Sequence, residues 1–145
     1  MAADNRDAIV DAIVARMQAI TKVNGYNTDV GGSVTRWRAN EPAESACPTI
    51  DVRDPARSLA GEYTQTIRDY KLTIVVCGFA AAGSDTDGEM NLILEDILKA
   101  MLSGDVTFGG LAQDTVYAGD EKQLSQNNVK TGIAIVRFSV TYRKQ

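Results

Sequence analysis

The sequence predicts an α+β protein in which an antiparallel β-sheet, with strands of mixed length, carries two helices on one face. Two segments place apolar residues at three- and four-residue steps, the spacing of an amphipathic helix. Other segments are rich in β-branched and aromatic residues, which are typical of strands. The order is helix, three strands, helix, two strands, without the regular alternation that a parallel sheet requires.

The first helix is predicted between Asp4 and about Thr21. Asp4 or Asn5 can cap it, and Asp7 suits the positive end of the helix dipole. The breaker-rich stretch 24–27 ends it. Its apolar stripe consists of Ile9, Val10, Ile13, Val14, Met17 and Ile20.

Three strands are predicted next. A short one covers 33–38 and a second covers 49–53, where Asp54-Pro55 is expected to end it; residues 41–48 form the loop between them. The third covers 63–80. Its core face carries Tyr70, Leu72, Ile74 and Val76.

The second helix follows an N-cap cluster at 84–87 and ends at Gly104. Its apolar residues are Met90, Ile93, Leu94, Ile97, Leu98 and Met101. A glycine-rich connection, 105–114, leads to a strand at 115–118, and polar residues 119–128 are expected to form a loop or hairpin tip. The last strand, 130–143, has a core face of Ala134, Val136, Phe138, Val140 and Tyr142.

Length and composition indicate one packed domain, residues 1–145. The 145 residues are 44% hydrophobic and 23% charged, which is ordinary for a globular protein. No apolar run approaches the roughly 20 residues of a membrane span, and the acidic N-terminus does not resemble a secretory signal. We therefore expect a soluble protein with no membrane partner, and with Cys47 and Cys77 as reduced thiols.

Composition also excludes several kinds of site. The chain contains no histidine, so histidine-based triads, histidine general bases and histidine-ligated zinc are impossible. The acidic segment 85–89 lacks the EF-hand spacing, and the glycine-rich 104–110 lacks the ending of a phosphate-binding loop. We predict no catalytic residue, no cofactor, no metal site and no enzymatic activity.

Nucleic-acid binding is also disfavoured. The net charge of −4 opposes the phosphate neutralisation on which general DNA binding depends. Trp37 between Arg36 and Arg38 could stack on bases, but in a short strand this pattern favours a buried ring and two solvated arginines.

The face of the sheet opposite the core set is half apolar and needs a cover. Either the segment 105–114 folds over this outer face, or a neighbouring subunit covers it. An acidic region, 63–114 with net charge −5, and a basic one, 115–145 with net charge +3, could meet between subunits or within one. The candidate interface residues are Val75, Cys77, Phe79, Phe108, Leu111, Ile133, Ile135 and Arg137.

With these elements placed, several segments along the chain resemble one family. They are 24–31, 34–38, 48–52, 95–100, 107–112, Tyr117 and 136–143. In these segments the chain resembles the tail terminator, or tail completion, proteins of long-tailed bacteriophages, the family that includes minor tail protein U.

The resemblance implies a structural virion protein without catalytic residues. It would form a homo-oligomeric ring of six at the head-proximal end of the tail, after assembly in the host cytoplasm. The ring would stop tail-tube polymerisation and dock the neck, connector or head-completion protein, while genomic DNA passes through its lumen without specific binding. The alternatives are a head-tail joining or neck protein and, from another class, a small cytosolic binding domain or histidine-free enzyme.

Overall fold

A computed structural model describes residues 5–60, 68–83, 85–125 and 131–144. The helices are α1 (Arg6–Gln18) and α2 (Thr86–Leu102). The strands are β1 (Val34–Arg36), β2 (Thr49–Leu59), β3 (Arg68–Ala81), β4 (Asp114–Leu124) and β5 (Thr131–Lys144). They form a sheet in the order β1-β2-β3-β5-β4, so the α+β class and the predicted order of elements are confirmed.

The prediction of a wholly antiparallel sheet is wrong in one place. β1 pairs with β2 in parallel, with Val34 opposite Ile50 and Arg36 opposite Val52. The other strand pairs are antiparallel. A parallel neighbour needs a long return connection, and residues 37–48 provide one.

The main core lies between the helices and one face of the sheet, as predicted. Leu72, Ile74 and Val76 of β3 are fully buried, and Tyr70 is half-buried against them. The predicted core residues of β5 are also buried: Ala134, Val136, Phe138, Val140 and Tyr142. Burying each of the larger side chains stabilises the fold by about 1.5–3 kcal/mol.

Two glycines let α2 approach the sheet closely. A Cβ at Gly78 of β3 would lie 2.3 Å from Cγ2 of Ile93. A Cβ at Gly132 of β5 would lie 2.7 Å from Cγ2 of Thr86. The first half of α2 therefore sits over the end of the sheet where β3 finishes and β5 begins.

β2 and β4 are both longer than predicted. In β2 the register shifts between Arg53 and Ala56, so the strand continues past Pro55 to Leu59. β1 has ended by this point, so no neighbouring strand on that side needs a hydrogen bond from the N–H that proline lacks. In β4 the register shifts near Gly119, whose φ of +123° suits a bulge, and the strand runs to Leu124.

The ends of several other predicted elements also differ. α1 begins at Arg6, and Asn5 at the cap position makes no side-chain capping bond; its amide instead donates to the carbonyl of Leu111 at 3.3 Å. The predicted cap Asp4 and the stretches 63–67 and 126–130 lie outside the described residues. In the described part, no helix combines the length and apolarity needed to cross a membrane.

Candidate functional site

The outer sheet face carries a compact apolar cluster where β3 pairs with β5. Cys77 lies opposite Ile135, and Phe79 lies opposite Ile133. These four side chains are between 4% and 9% exposed, so they are already buried within the single chain. Burial raises the pKa of the Cys77 thiol, which keeps it protonated and unreactive at neutral pH.

The cover of this outer cluster comes from the connection between β1 and β2. Cys47 packs on the cluster, and the short 3-10 helix Glu44–Ala46 lies against β3. Further back in the connection, the carboxylate of Glu41 accepts a hydrogen bond from Oγ of Ser125 at 2.5 Å. The connection therefore spans from β1 to the end of β4 across the outer face.

The predicted cover, segment 105–114, is on the other side of the sheet, and that expectation is wrong. Phe108 is buried in the main core, and Leu111 packs against the same cluster. The guanidinium of Arg16 holds this segment in place, lying 4.2 Å from the centre of the Phe108 ring and donating to the carbonyl of Asp105. Both side chains thus lie on the core side of the sheet instead of the outer face.

Asp105 gives the same segment its turn geometry. Its carboxylate accepts hydrogen bonds from the hydroxyl and N–H of Thr107, at 2.5 and 2.9 Å, and from the N–H of Gly109 at 2.8 Å. These donors, chiefly the Thr107 hydroxyl, lower the pKa of Asp105 to about 2. The ionised carboxylate of Asp105 therefore stabilises the turn at 105–109.

Val75 and Arg137 are the remaining predicted interface residues, and they lie opposite each other at the margin of the outer cluster. Val75 is half-buried and packs against the cluster. Arg137 is exposed and forms an ion pair with Glu121 of β4 at 2.7 Å. The predicted interface set is thus divided: four residues are buried in the outer cluster, two lie at its margin, and two belong to the main core.

Two buried carboxylates that sequence reasoning missed fix β1 against β2. Asp51, fully buried, accepts hydrogen bonds from Oγ1 of Thr35 at 2.7 Å and the N–H of Arg38 at 3.0 Å. Asp54 accepts from the indole N–H of Trp37 at 2.7 Å and from Nε of Arg6 at 2.7 Å. Both lie in β2, where the alternation of apolar and polar residues does not indicate that a carboxylate is buried.

Trp37 differs from its predicted environment. Trp37 is 52% exposed, and its backbone has a φ of +55°. Arg36 is not simply solvated, because it pairs with Asp7 and Asp11 of α1 at 2.8 and 3.0 Å. The expectation of a buried ring between two solvated arginines is wrong, since the chain turns at Trp37 and directs the indole to the surface.

A third buried carboxylate, Asp96 of α2, holds the loop after α1. It accepts from the N–H of Asn27 at 2.9 Å, and from the N–H and hydroxyl of Thr28 at 2.8 and 2.6 Å. Such donor-satisfied carboxylates are structural anchors. Across the residues that the structure describes, no group of three or more histidine, cysteine, aspartate or glutamate side chains could hold a metal ion.

A cavity of about 470 Å³ opens beside the first turns of α2. Leu92, Pro48 and Cys47 contribute apolar walls, while Lys22, Asp29 and Glu89 place charges of both signs around it. These charges do not converge on one ligand chemistry.

The lateral edges of the sheet expose large apolar side chains. On β4 these are Val116 at 53%, Tyr117 at 42% and Leu124 at 49% exposed. On the opposite edge, Trp37 follows β1, and Leu59 at the end of β2 is 47% exposed. Leu59 and Leu124 lie beyond the predicted ends of β2 and β4, so the sequence prediction missed the full length of these edges.

Comparisons with known proteins find similarity in structure alone. No protein-family model matches the chain, and no curated protein matches it. Among solved structures, the fold is similar to a chain from the virion of a native gene transfer agent (GTA) particle, with a TM-score of 0.54 and 10% identity. The similarity covers 93% of this chain and 94% of that chain, so the two share an overall fold from end to end.

Proposed function

We propose that this chain is a structural subunit of a phage-like virion that acts as a tail terminator. Copies form a ring, six as the family resemblance implies, on the head-proximal end of the tail tube. The observation that carries the proposal is the near-complete overlap in fold with a chain of a gene transfer agent virion. The sequence segments that resemble tail terminators support the more specific role.

The charge distribution along the strands suits a ring with two different faces. β3 has 14 residues, which at roughly 3.3 Å each is about 45 Å. Arg68, Lys71, Arg143 and Lys144 lie at one end of the sheet together with Asp69 and Asp114, a net charge of +2. Asp85, Asp87 and Glu89 lie at the other end, where α2 begins and Lys122 pairs with Asp87, a net charge of −2. A ring of subunits oriented alike would present a basic face and an acidic face.

Such a ring would bind the tail-tube protein on one face and the neck, connector or head-completion protein on the other. Its net charge of −4 for each copy suits a lumen through which DNA passes without specific binding. The protein acts by binding and assembly, with no enzymatic step. On the outer sheet face, we propose that Val75, Arg137 and the connection 40–48 contact neighbouring virion proteins, with the buried outer cluster supporting them.

The test is an assembly reaction with a tail-tube protein encoded in the same genome. We expect negative-stain images to show a ring at one end of each tube, and tube growth from that end to stop. Binding to portal or adaptor complexes, with no effect on tubes, would assign the chain to the neck instead. A protein that binds neither tubes nor neck components would overturn the structural role.

A further inference from the structure

We propose that Trp37 is the anchor of a contact between copies of this chain, and that its indole packs on β4 of a neighbouring copy. The receiving surface is the helix side of β4, called here the β4 strip: Tyr117, Asp120, Lys122 and Leu124. This contact deepens the ring function above, and the closure of the copies into a ring rests on that function.

Trp37 is held in a strained and exposed conformation. Its backbone φ of +55° lies in the left-handed region, which is unfavourable for a bulky side chain. The indole N–H donates to Asp54 at 2.7 Å, and Arg6 of α1 donates to the same carboxylate at 2.7 Å, which fixes the indole on the helix side of the sheet. Strained residues cluster at functional sites, and tryptophan is enriched among the residues that dominate binding energies.

The β4 strip is a part of the sheet that the two described helices leave largely uncovered. α1 packs on β1 and β2, and α2 packs mainly on β3 and β5. The ring of Tyr117 lies edge-on to Phe138 of the main core, so the strip faces the helix side. Tyr117 is nevertheless 42% exposed, and Leu124 is 49% exposed. An edge strand with exposed apolar side chains is a ready surface for contact with another chain.

Two copies placed side by side in the same orientation bring Trp37 to the β4 strip. β1 and β4 are the outermost strands of the described sheet, and they run in opposite directions because three antiparallel pairings separate β2 from β4. Reading the register across the sheet, Arg36 is level with Asp120. Trp37 therefore comes level with the bulge at Gly119, which has no side chain, and Tyr117 lies just beyond it. The two exposed aromatic rings meet on the same side of the joined sheets.

The backbone of β1 presents hydrogen-bonding groups to the neighbouring copy. The carbonyl of Ser33 and the N–H of Trp37 bond to β2, at 2.9 and 3.1 Å. Because successive residues of a strand alternate in direction, Val34 and Arg36 direct their N–H and C=O groups away from β2. Within the described ranges, no strand lies beyond β1 to receive them.

The backbone of β4 presents the matching groups. The N–H of Ser125, just past the end of β4, donates to a carbonyl of β5 at 2.9 Å, so the same alternation directs Lys122 and Asp120 away from β5. Lys122 is level with Val34. Asp120 is level with Arg36. The outward-facing residues of the two strands thus oppose each other, which suits a short antiparallel ladder beside the aromatic contact.

Charge is not what would hold this contact together. Asp120 would face Arg36, but that guanidinium already pairs with Asp7 and Asp11 of α1. None of the level pairs between 34–36 and 120–122 places like charges opposite each other. The contact therefore depends on the aromatic rings and the backbone, and we expect it to persist at high salt.

The two surfaces are different, so the contact is heterologous. One Trp37 and one β4 strip remain free at the ends of any open assembly. Further copies then add until the assembly closes into a ring or continues as a filament. A twofold pairing of two β4 strands would instead leave Trp37 exposed.

Fluorescence of the wild-type protein tests the contact directly, because Trp37 is the only tryptophan in the sequence. As copies assemble with rising concentration, followed by light scattering, we expect the emission to shift to the blue and acrylamide to quench it less. Assembly with unchanged emission and quenching would overturn the proposal, as would a protein that stays monomeric. A shift that requires added tail-tube protein would also overturn it, because the occupant would then be the tube and not a second copy.

Two variants and their mixture test the two surfaces separately. Trp37→Ala removes the anchor and Tyr117→Arg blocks the β4 strip, so we expect each variant alone to be monomeric by size-exclusion chromatography with light scattering. Their equimolar mixture should form a dimer and nothing larger, because one intact surface remains on each. Val23→Arg, at a 95% exposed site outside both surfaces, should assemble like the wild type. Assembly of either variant alone, or a mixture of folded variants that stays monomeric, would overturn the proposal.

The wild-type fluorescence decides the matter if Trp37→Ala fails to fold through the loss of its bond to Asp54. The contact and the proposed function also fail separately. Copies that assemble with a shifted Trp37 emission yet leave tail tubes unchanged would contradict only the proposed function. Tube capping by the Trp37→Ala variant would contradict only the anchor.

Discussion

Oδ2 of Asp96 accepts hydrogen bonds from both the N–H and the hydroxyl of Thr28, at 2.8 and 2.6 Å. Asp96 is 1% exposed and belongs to α2, whereas Thr28 lies in the connection after α1. One carboxylate thus joins the second helix to the connection that leads into β1. The position of the β1 edge of the sheet depends in part on this bond.

Removal of this carboxylate should destabilise the protein strongly. Asp96→Ala leaves the N–H groups of Asn27 and Thr28 without their acceptor, and we expect the free energy of unfolding to fall by about 3 kcal/mol in urea titrations. Glu95→Ala, at the exposed neighbouring position, removes only a long, exposed hydrogen bond from the Asn27 amide at 3.4 Å and should change it by less than about 0.5 kcal/mol. Equal urea midpoints of unfolding for the two variants would contradict the anchoring role of Asp96.

A methyl group at Gly78 should separate α2 from the sheet. Its Cβ would lie 2.3 Å from Ile93, so Gly78→Ala is expected to cost about 1–3 kcal/mol of stability. Gly83→Ala is the matched control, because nothing lies within 4 Å of a Cβ there. Equal shifts of the unfolding temperature in both variants would show that the close contact between α2 and Gly78 does not cause the loss of stability.

Asp54 should make stability depend on acid pH. Burial alone raises the pKa of Asp54, but hydrogen bonds from Trp37 and Arg6 outweigh it and lower the pKa below 3.8. The ionised form is therefore favoured in the folded state, and its stabilisation is present above pH 3.8 and lost as the pH falls through the lowered pKa. Urea titrations of the wild type and Asp54→Asn should differ most near neutral pH and converge in acid. A difference in the free energy of unfolding that stays constant across this pH range would contradict the role of the Asp54 carboxylate.

Charge placed in the outer cluster should affect folding before assembly. Ile135 is 8% exposed beneath the connection 40–48, so Ile135→Asp is expected to lower the free energy of unfolding by about 3 kcal/mol or more. Arg137→Ala, two residues further along β5 and exposed, should be near neutral for stability. A stable, monomeric Ile135→Asp protein would instead place Ile135 directly at a subunit contact.

The sequence predicts the core of this fold well because periodicity reports burial directly. The alternation in β3 and β5 correctly assigns Val76 and Val136 to the core and Cys77 and Ile135 to the outer face. The apolar stripe of α1 is likewise confirmed, with Ile9 and Ile13 fully buried. These assignments depend only on local spacing.

Features that depend on distant partners could not be predicted in this way. The pair Asp54-Pro55 is typical of the end of a strand. β2 can continue past it because β1, the neighbouring strand on that side, has already ended. Phe108 shows no local preference for one face, and its contacts in the main core, among them the guanidinium of Arg16, come from residues far away in sequence. The bulge at Gly119 hides the continuation of β4, and with it the place of Leu124 on the exposed edge.

The most direct test of the central claim is native mass spectrometry of the purified chain at micromolar concentration. The proposed ring predicts one closed species whose mass is a whole multiple of 15.6 kDa, a hexamer as the family resemblance implies. A wild-type protein that remains monomeric at every concentration would contradict the claim.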